Sequence, residues 1–267
     1  MARYVIALIV AAISLFTYFA RSEKNPITQE TQRVAGITAE QEVALGLQAA
    51  PEMIQQFGGL DPSAEAQALV DRVGERLVTK TAAAQSPYKF EFHLLDDPET
   101  INAFALPGGQ VAITEGLVRR LESEGQLAGV LGHEIGHVVA RHGAEHIAKQ
   151  QLTEGLTGAA VLATYDPNNP SSRGSAAVAA MIGQLVTMRF GRQDELESDQ
   201  LGVRLASEAG YDPRSMIGLM KILEESSQGG RPPEFFSTHP NPENRVARIE
   251  SAIQKQFPNG VPAGLEK

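Results

Sequence analysis

Two histidines four residues apart, with a glutamate directly after the first, form the segment His133-Glu134-Ile135-Gly136-His137. No other feature constrains the fold as strongly. Positions i and i+4 share a face only in an α-helix, so the two imidazoles can meet one ion only if this segment is helical. Glu134 then projects beside them, close enough to take a proton from metal-bound water. Leu127, Val130, Leu131 and Val138 flank the motif and predict that the helix is buried. This order of residues is rare by composition, which weighs against a chance match on a core helix.

Two histidines do not complete a peptidase-type zinc site, so a third ligand must come from elsewhere. The pattern HExxHxxGxxH would require Gly at position 140 and His at 143, but Ala140 and Gly143 stand there. The stretch Glu195-Leu196-Glu197-Ser198-Asp199 is the better source. In a helix Glu195 and Asp199 share a face. Glu195 can bind the metal while Asp199 accepts the N–H from the far side of a ligand imidazole, fixing its tautomer. Standing alone, the stretch would read as a charged helix face. Glu197 is expected to point away and be solvated. His142, five residues past His137, is expected to be structural, and His93 and His146 have no partner that spacing can name. The chain has no cysteine. Disulfides, thiolate ligands, a cysteine nucleophile and an acylated cysteine are all excluded.

The 267 residues are 42% hydrophobic and 21% charged, enough for a packed core. The net charge of −9 argues against a nucleic-acid partner and against a basic lipid-docking patch. Arg3 precedes an apolar run from Tyr4 to Ala20, so residues 1–21 read as a signal peptide or an N-terminal membrane anchor. Residues 22–37 read as a linker, 38–257 as the folded domain and 258–267 as a tail. Thr38-x-x-Gln41 opens a helix running to about Phe57, and Asp61-Pro62 opens a second. Phe90, Phe92 and Leu94 alternate with polar residues as a half-buried strand, and Gly109–Thr114 is a second strand. One long helix is expected over about Ser123–Gln150, then a helical hairpin over 152–190 with a loop at Asp166–Ser172. Further helices are expected at about Arg192–Ala209, from Asp212-Pro213 to about Glu225, and from Pro242 to about Gln256, with a loop at Gly229–Pro233.

With these residues in hand, the sequence resembles the HtpX and CAAX-prenyl-protease family of zinc metalloendopeptidases, metallopeptidase family 48. The resemblance rests on His133–His137 followed by Glu195-x-x-x-Asp199. It rests also on Asn102-Ala103-Phe104-Ala105-Leu106-Pro107-Gly108-Gly109, on Val138-Val139-Ala140-Arg141-His142, and on Ser237-Thr238-His239-Pro240 with Arg245 following. It covers about residues 38–255 and is nearest the BepA- and LoiP-type quality-control branch, here without a tetratricopeptide domain. Gly191 stands where the family usually has Ser.

The resemblance implies an α+β, mostly helical fold: a gluzincin-type zinc peptidase domain with a small β-sheet whose edge strand lines the active site. It implies one Zn²⁺ per chain on His133, His137 and Glu195, with Asp199 behind a ligand histidine and Glu134 as general base. Arg245 or His239 would donate to the oxyanion, and His239 could instead be a fourth ligand that holds the enzyme at rest. Gly109, Val111 and Ile113 would form the substrate-binding edge strand. Expected substrates are misfolded or misassembled envelope or membrane-associated proteins, cleaved in the periplasm or at the extracytoplasmic face of a membrane. The rival expectation is a zinc-binding chaperone or assembly factor whose proteolysis is low or gated by His239.

Overall fold

The computed structural model describes residues 2–20, 22–34, 36–164, 190–227, 233–241 and 244–267. In chain order these form α1 (Ala2–Ala20), a hairpin of β1 (Ser22–Lys24) and β2 (Thr31–Arg33), α2 (Ala39–Gln56) and α3 (Ala64–Thr79). Then come β3 (Glu91–Leu95), β4 (Ala103–Leu106), β5 (Gln110–Thr114) and α4 (Glu115–Val118). The rest is helical: α5 (Glu124–Val139), α6 (His142–Thr164), α7 (Arg192–Glu208), α8 (Ser215–Ser227), α9 (Phe235–Thr238) and α10 (Arg245–Gln256). The fold is α+β and mostly helical, as expected. The second arm of the expected 152–190 hairpin, its Asp166–Ser172 loop, most of the Gly229–Pro233 loop and the Pro242 helix start lie outside the described residues.

Helix α5 carries the His-Glu-x-x-His segment and sits at the centre. Ser123 caps it by accepting from Gln126 N, and every residue from Gly125 to Val139 is buried. Helices α3, α7 and α8 and strand β4 pack around it. Its crossing with α7 is unusually close because glycines face each other. A Cβ on Gly132 would lie 3.4 Å from Gly202 Cα, and one on Gly136 would lie 3.2 Å from both Ser198 Cα and Ser198 O. The near-contact of two backbones brings α7 carboxylates within reach of α5 imidazoles.

The expected helix over Ser123–Gln150 is in fact two helices. Arg141 takes a left-handed conformation at φ +55°, which ends α5, and α6 starts at His142. This costly geometry for a non-glycine residue is held from outside. Arg141 Nε donates to Glu42 Oε1 at 2.7 Å and Nη2 to Ile37 O at 2.7 Å, and Arg141 also pairs with Glu23.

Residues 22–37 are no linker. The β1–β2 hairpin folds onto the end of α5, burying Asn25, Ile27, Gln32 and Val34. Asn25 Nδ2 donates to Val139 O at 2.7 Å, and Gln32 Nε2 donates to Ala140 O. The last carbonyls of a helix have no partner within it. Here two amide side chains supply one. The expected tail also packs back. Glu266 exchanges backbone hydrogen bonds with Asp212 and Gly210, and its side chain pairs with Arg76.

The main sheet has the order β3-β5-β4, with β3 parallel and β4 antiparallel to β5. The strand expected at the edge, with Gly109, Val111 and Ile113, is therefore wrongly placed. Val111 and Ile113 lie on the central strand, paired on both sides, and Gly109 forms the turn into it. The edge strands are β3 and β4, and β4 is the one that lines the cleft beside His239.

Helix α1 packs along α6, where Gly155 meets Ser14. Its other faces leave Leu8 and Phe16 71% exposed, with Val5, Ile9, Ile13 and Phe19 also bare. Its 19 residues span about 28 Å, just under the about 30 Å of a bilayer core. Among the described residues no helix is long and apolar enough to cross a membrane.

Candidate metal centre and active site

On α5 the helical repeat turns His133 and His137 to one side, with Nε2 atoms 3.1 Å apart. The close crossing with α7 sets Glu195 against them, its Oε2 3.5 Å from His133 Nε2 and its Oε1 3.4 Å from His137 Nε2. From the turn after α9, His239 Nδ1 comes to 3.1 Å from Glu195 Oε1 and 3.4 Å from His133 Nε2. These four buried side chains form one group able to hold a metal ion.

The distances suit zinc. With bonds of about 2.0–2.1 Å to nitrogen, the edge of a tetrahedral zinc site is about 3.3 Å. The separations of 3.1–3.5 Å match it. The chemistry of the donors agrees. The other face of each ligand imidazole is already engaged, His133 Nδ1 with Asp199 Oδ1 at 2.9 Å and His137 Nδ1 with His142 Nδ1 at 2.9 Å. The two Nε2 lone pairs and a carboxylate therefore converge on a point that needs a positive centre, whether a proton or a metal cation.

Electrostatics tell the same story. Burial opposes protonation of His133, but Asp199 and Glu195 outweigh it and push its pKa up to about 9. Burial also opposes ionisation of Glu195, yet His239, His133 and His137 hold it well below the usual carboxylate range. Burial drives His137 well below its ordinary value, against the pull of Glu195. Glu134 is the reverse case: burial raises its pKa, only partly countered by His239 and His133. It is fully buried and neither carboxylate oxygen has a hydrogen-bond partner among the described residues. His239 Nε2 lies 3.5 Å from its Oε1. A basic group without a partner beside a metal pocket is arranged to accept a proton.

Asp199 lies on the Nδ1 side of His133. It also accepts from Arg245 Nε and Nη2, both at 2.8 Å, and Arg245 Nη2 lies 3.3 Å from Glu195 Oε2. Arg245 thus ties two carboxylates together from behind the ligands. Only its Nη1 is left without a partner.

Sequence reasoning gave no site role to four residues. His142 is buried against His137, and Glu197 is not solvated away but sits 3.3 Å from His142 Nε2. Phe190 stacks on the His137 ring with centroids 3.8 Å apart, and its N–H donates to Thr238 O, fastening it beside His239. Asn102, at the start of β4, is buried with Oδ1 unpartnered and lines a cleft of about 110 Å³ that reaches His239. The same cleft is lined by β4 from Phe104 to Leu106 and by the apolar side chains of Met53, Phe57 and Phe190. Two of these carried a signal: Asn102 opens the segment ending in Pro107-Gly108-Gly109, and His142 closes Val138-Val139-Ala140-Arg141-His142.

Comparison with known proteins bears on this site. The sequence model described as peptidase family M48 matches residues 64–253. The beta-barrel assembly-enhancing protease of Escherichia coli (strain K12) is 36% identical over 200 residues, covering 71% of this chain and 39% of that protein. The mitochondrial metalloendopeptidase OMA1 of Schizosaccharomyces pombe is 32% identical over 236 residues, covering 87% of this chain and 67% of that protein. Bovine mitochondrial metalloendopeptidase OMA1 is 34% identical over 173 residues, covering 60% of this chain and 32% of that protein. The chain spans about two fifths of the length of the beta-barrel assembly-enhancing proteases it matches. The histidine pair, Glu134, Glu195, Asp199, His239 and Arg245 all fall inside the matched span, and the chain belongs to peptidase family M48.

Proposed function

We propose that this protein is a zinc-dependent metalloendopeptidase of protein quality control. The observation that carries the reading is the convergence of His133, His137, Glu195 and His239 beside an unpartnered, buried Glu134. His133, His137 and Glu195 hold the ion. Zinc bound there would supply Lewis acidity to the peptide carbonyl and to the attacking water. Glu134 would take the proton of the attacking water and return it to the leaving amine. Asp199 and Arg245 keep His133 and Glu195 oriented. Of the two expected donors to charge developing on the carbonyl oxygen, His239 lines the cleft, whereas Arg245 lies behind the ligands.

Strand β4 binds the substrate. An edge strand accepts an extended peptide through main-chain hydrogen bonds, with little demand on sequence. Combined with an apolar cleft, this suits unfolded or misassembled chains, which expose both backbone and apolar side chains. Two relatives are named for β-barrel assembly and for mitochondria, and the substrates proposed here are envelope or membrane-associated proteins. Helix α1, apolar on its exposed faces, holds the enzyme at the extracytoplasmic side of a membrane.

The test is Glu134→Gln on the purified full chain, with zinc content and casein digestion measured together. The variant should keep its zinc and lose cleavage. Undiminished, chelator-sensitive digestion would refute the assignment of Glu134. A second reading is favoured by one observation: His239 Nδ1 stands at ligand distance from the other donors. In this resting arrangement His239 closes the site, and the protein serves as a latent protease or an assembly factor. His239→Ala should then raise casein cleavage, whereas loss of zinc and stability would mark a closed structural site.

A further inference from the structure

His142 has no place in the mechanism above, yet it is 2% exposed and its Nδ1 lies 2.9 Å from Nδ1 of His137. Two facing ring nitrogens at that distance share one proton, and the metal site decides which holds it. With Nε2 of His137 facing the ion, His137 must carry its proton on Nδ1 and donate it. His142 Nδ1 is then bare and accepts. Its own proton must sit on Nε2, which faces Glu197 Oε2 at 3.3 Å. Each link fixes the direction of the next. We propose that His142, terminated by Glu197, is the positioning residue for the metal ligand His137.

Packing supports the assignment. The His137 and His142 rings meet edge to face, with centroids 5.0 Å apart at 72°. Phe190 stacks on the His137 ring. Ser198 Oγ lies 3.4 Å from His142 Nδ1 and holds the second ring from α7. The two ligand histidines are thus braced differently. His133 faces a buried carboxylate directly, whereas His137 faces a second imidazole that in turn faces a partly exposed carboxylate. Removing the acceptor leaves a buried N–H without a partner and frees the ring to rotate. The effect expected for such a partner of a metal ligand is about 10- to 100-fold in metal affinity.

This inference rests on zinc binding at the proposed site, so the full chain is first titrated with zinc against a competing chelator. Wild-type protein that binds no zinc overturns both readings. Given binding, His142→Ala should weaken zinc about 10- to 100-fold. His142→Asn should recover most of that loss, because its Oδ1 occupies the place of Nδ1 and still accepts from His137. Equal zinc affinity in wild type and His142→Ala overturns the proposal. So does equal weakening in the Ala and Asn variants, which would mean that only ring packing matters. Glu197→Gln, at a partly exposed position that does not endanger folding, should weaken zinc several-fold. It should also shift the visible spectrum of the cobalt-substituted protein. No change in either overturns the role of Glu197.

Discussion

Replacing Asp199 by Asn keeps the shape of the side chain and removes its charge. In the structure Asp199 only accepts: Oδ1 takes His133 Nδ1 and Arg245 Nη2, and Oδ2 takes Arg245 Nε. An amide cannot do this. With its oxygen at the Oδ1 position, the NH₂ faces the N–H of Arg245 Nε. Flipped, the NH₂ faces both other donors. Either way at least one buried donor is lost, and Arg245 keeps only Glu195 as a counter-charge. Breaking a buried ion pair from one side costs about 3–5 kcal/mol. The remaining Glu195 pair puts the expectation at the lower end, about 3 kcal/mol of unfolding free energy in the metal-free protein. Zinc affinity should fall about 10- to 100-fold, because His133 loses the acceptor that fixes its tautomer. Urea unfolding of the metal-free variant and zinc competition measure the two effects separately. A variant as stable as wild type, binding zinc within about twofold, would refute this account of the centre.

The remaining predictions concern pH, helix crossing and the hairpin. Zinc must displace the proton that His133 holds with a pKa of about 9, so affinity should rise about tenfold per pH unit from 7 and level off near 9; a flat profile in a competition titration contradicts this. The same raised pKa stabilises the metal-free protein below the ordinary histidine range, and that contribution is lost as pH rises through about 9. Gly136→Ala puts a Cβ 3.2 Å from the Ser198 backbone. The helix-propensity gain of about 1 kcal/mol offsets part of an overpacking cost of about 1–3 kcal/mol. Zinc affinity should therefore fall far more than the melting temperature of the metal-free protein. Asn25→Ala leaves Val139 O without its donor and should cost about 1–3 kcal/mol in urea unfolding; an unchanged midpoint would mean that the hairpin does not cap α5.

The parts legible in the sequence are those where function imposes a helical repeat. His133 and His137, then Glu195 and Asp199, are each four apart, and a repeat of 3.6 puts each pair on one face whatever lies between. The family resemblance added His239 and Arg245, which no spacing rule links to the rest. Five residues along an unbroken helix would turn His142 about 140° away from His137. The left-handed turn at Arg141 starts a new axis and swings the His142 ring back onto His137. The same turn brings α6 against α7, so the supposedly solvated side of α7 holds Glu197 and Asp194 against His142 and His146. Strand β4 is four residues long, with three of them buried and no alternation to betray it. In Asn25 and Gln32 the composition of a linker hides two amides that serve as helix caps.

Those two amides also divide the N-terminal region into parts of unequal consequence. A processing cut before residue 22 removes α1 and leaves the clasp on α5 whole. A cut between Asn25 and Gln32 separates the donors to Val139 and Ala140, carbonyls within one turn of His137. The few residues between those cuts decide whether trimming leaves the end of α5 beside His137 capped or bare.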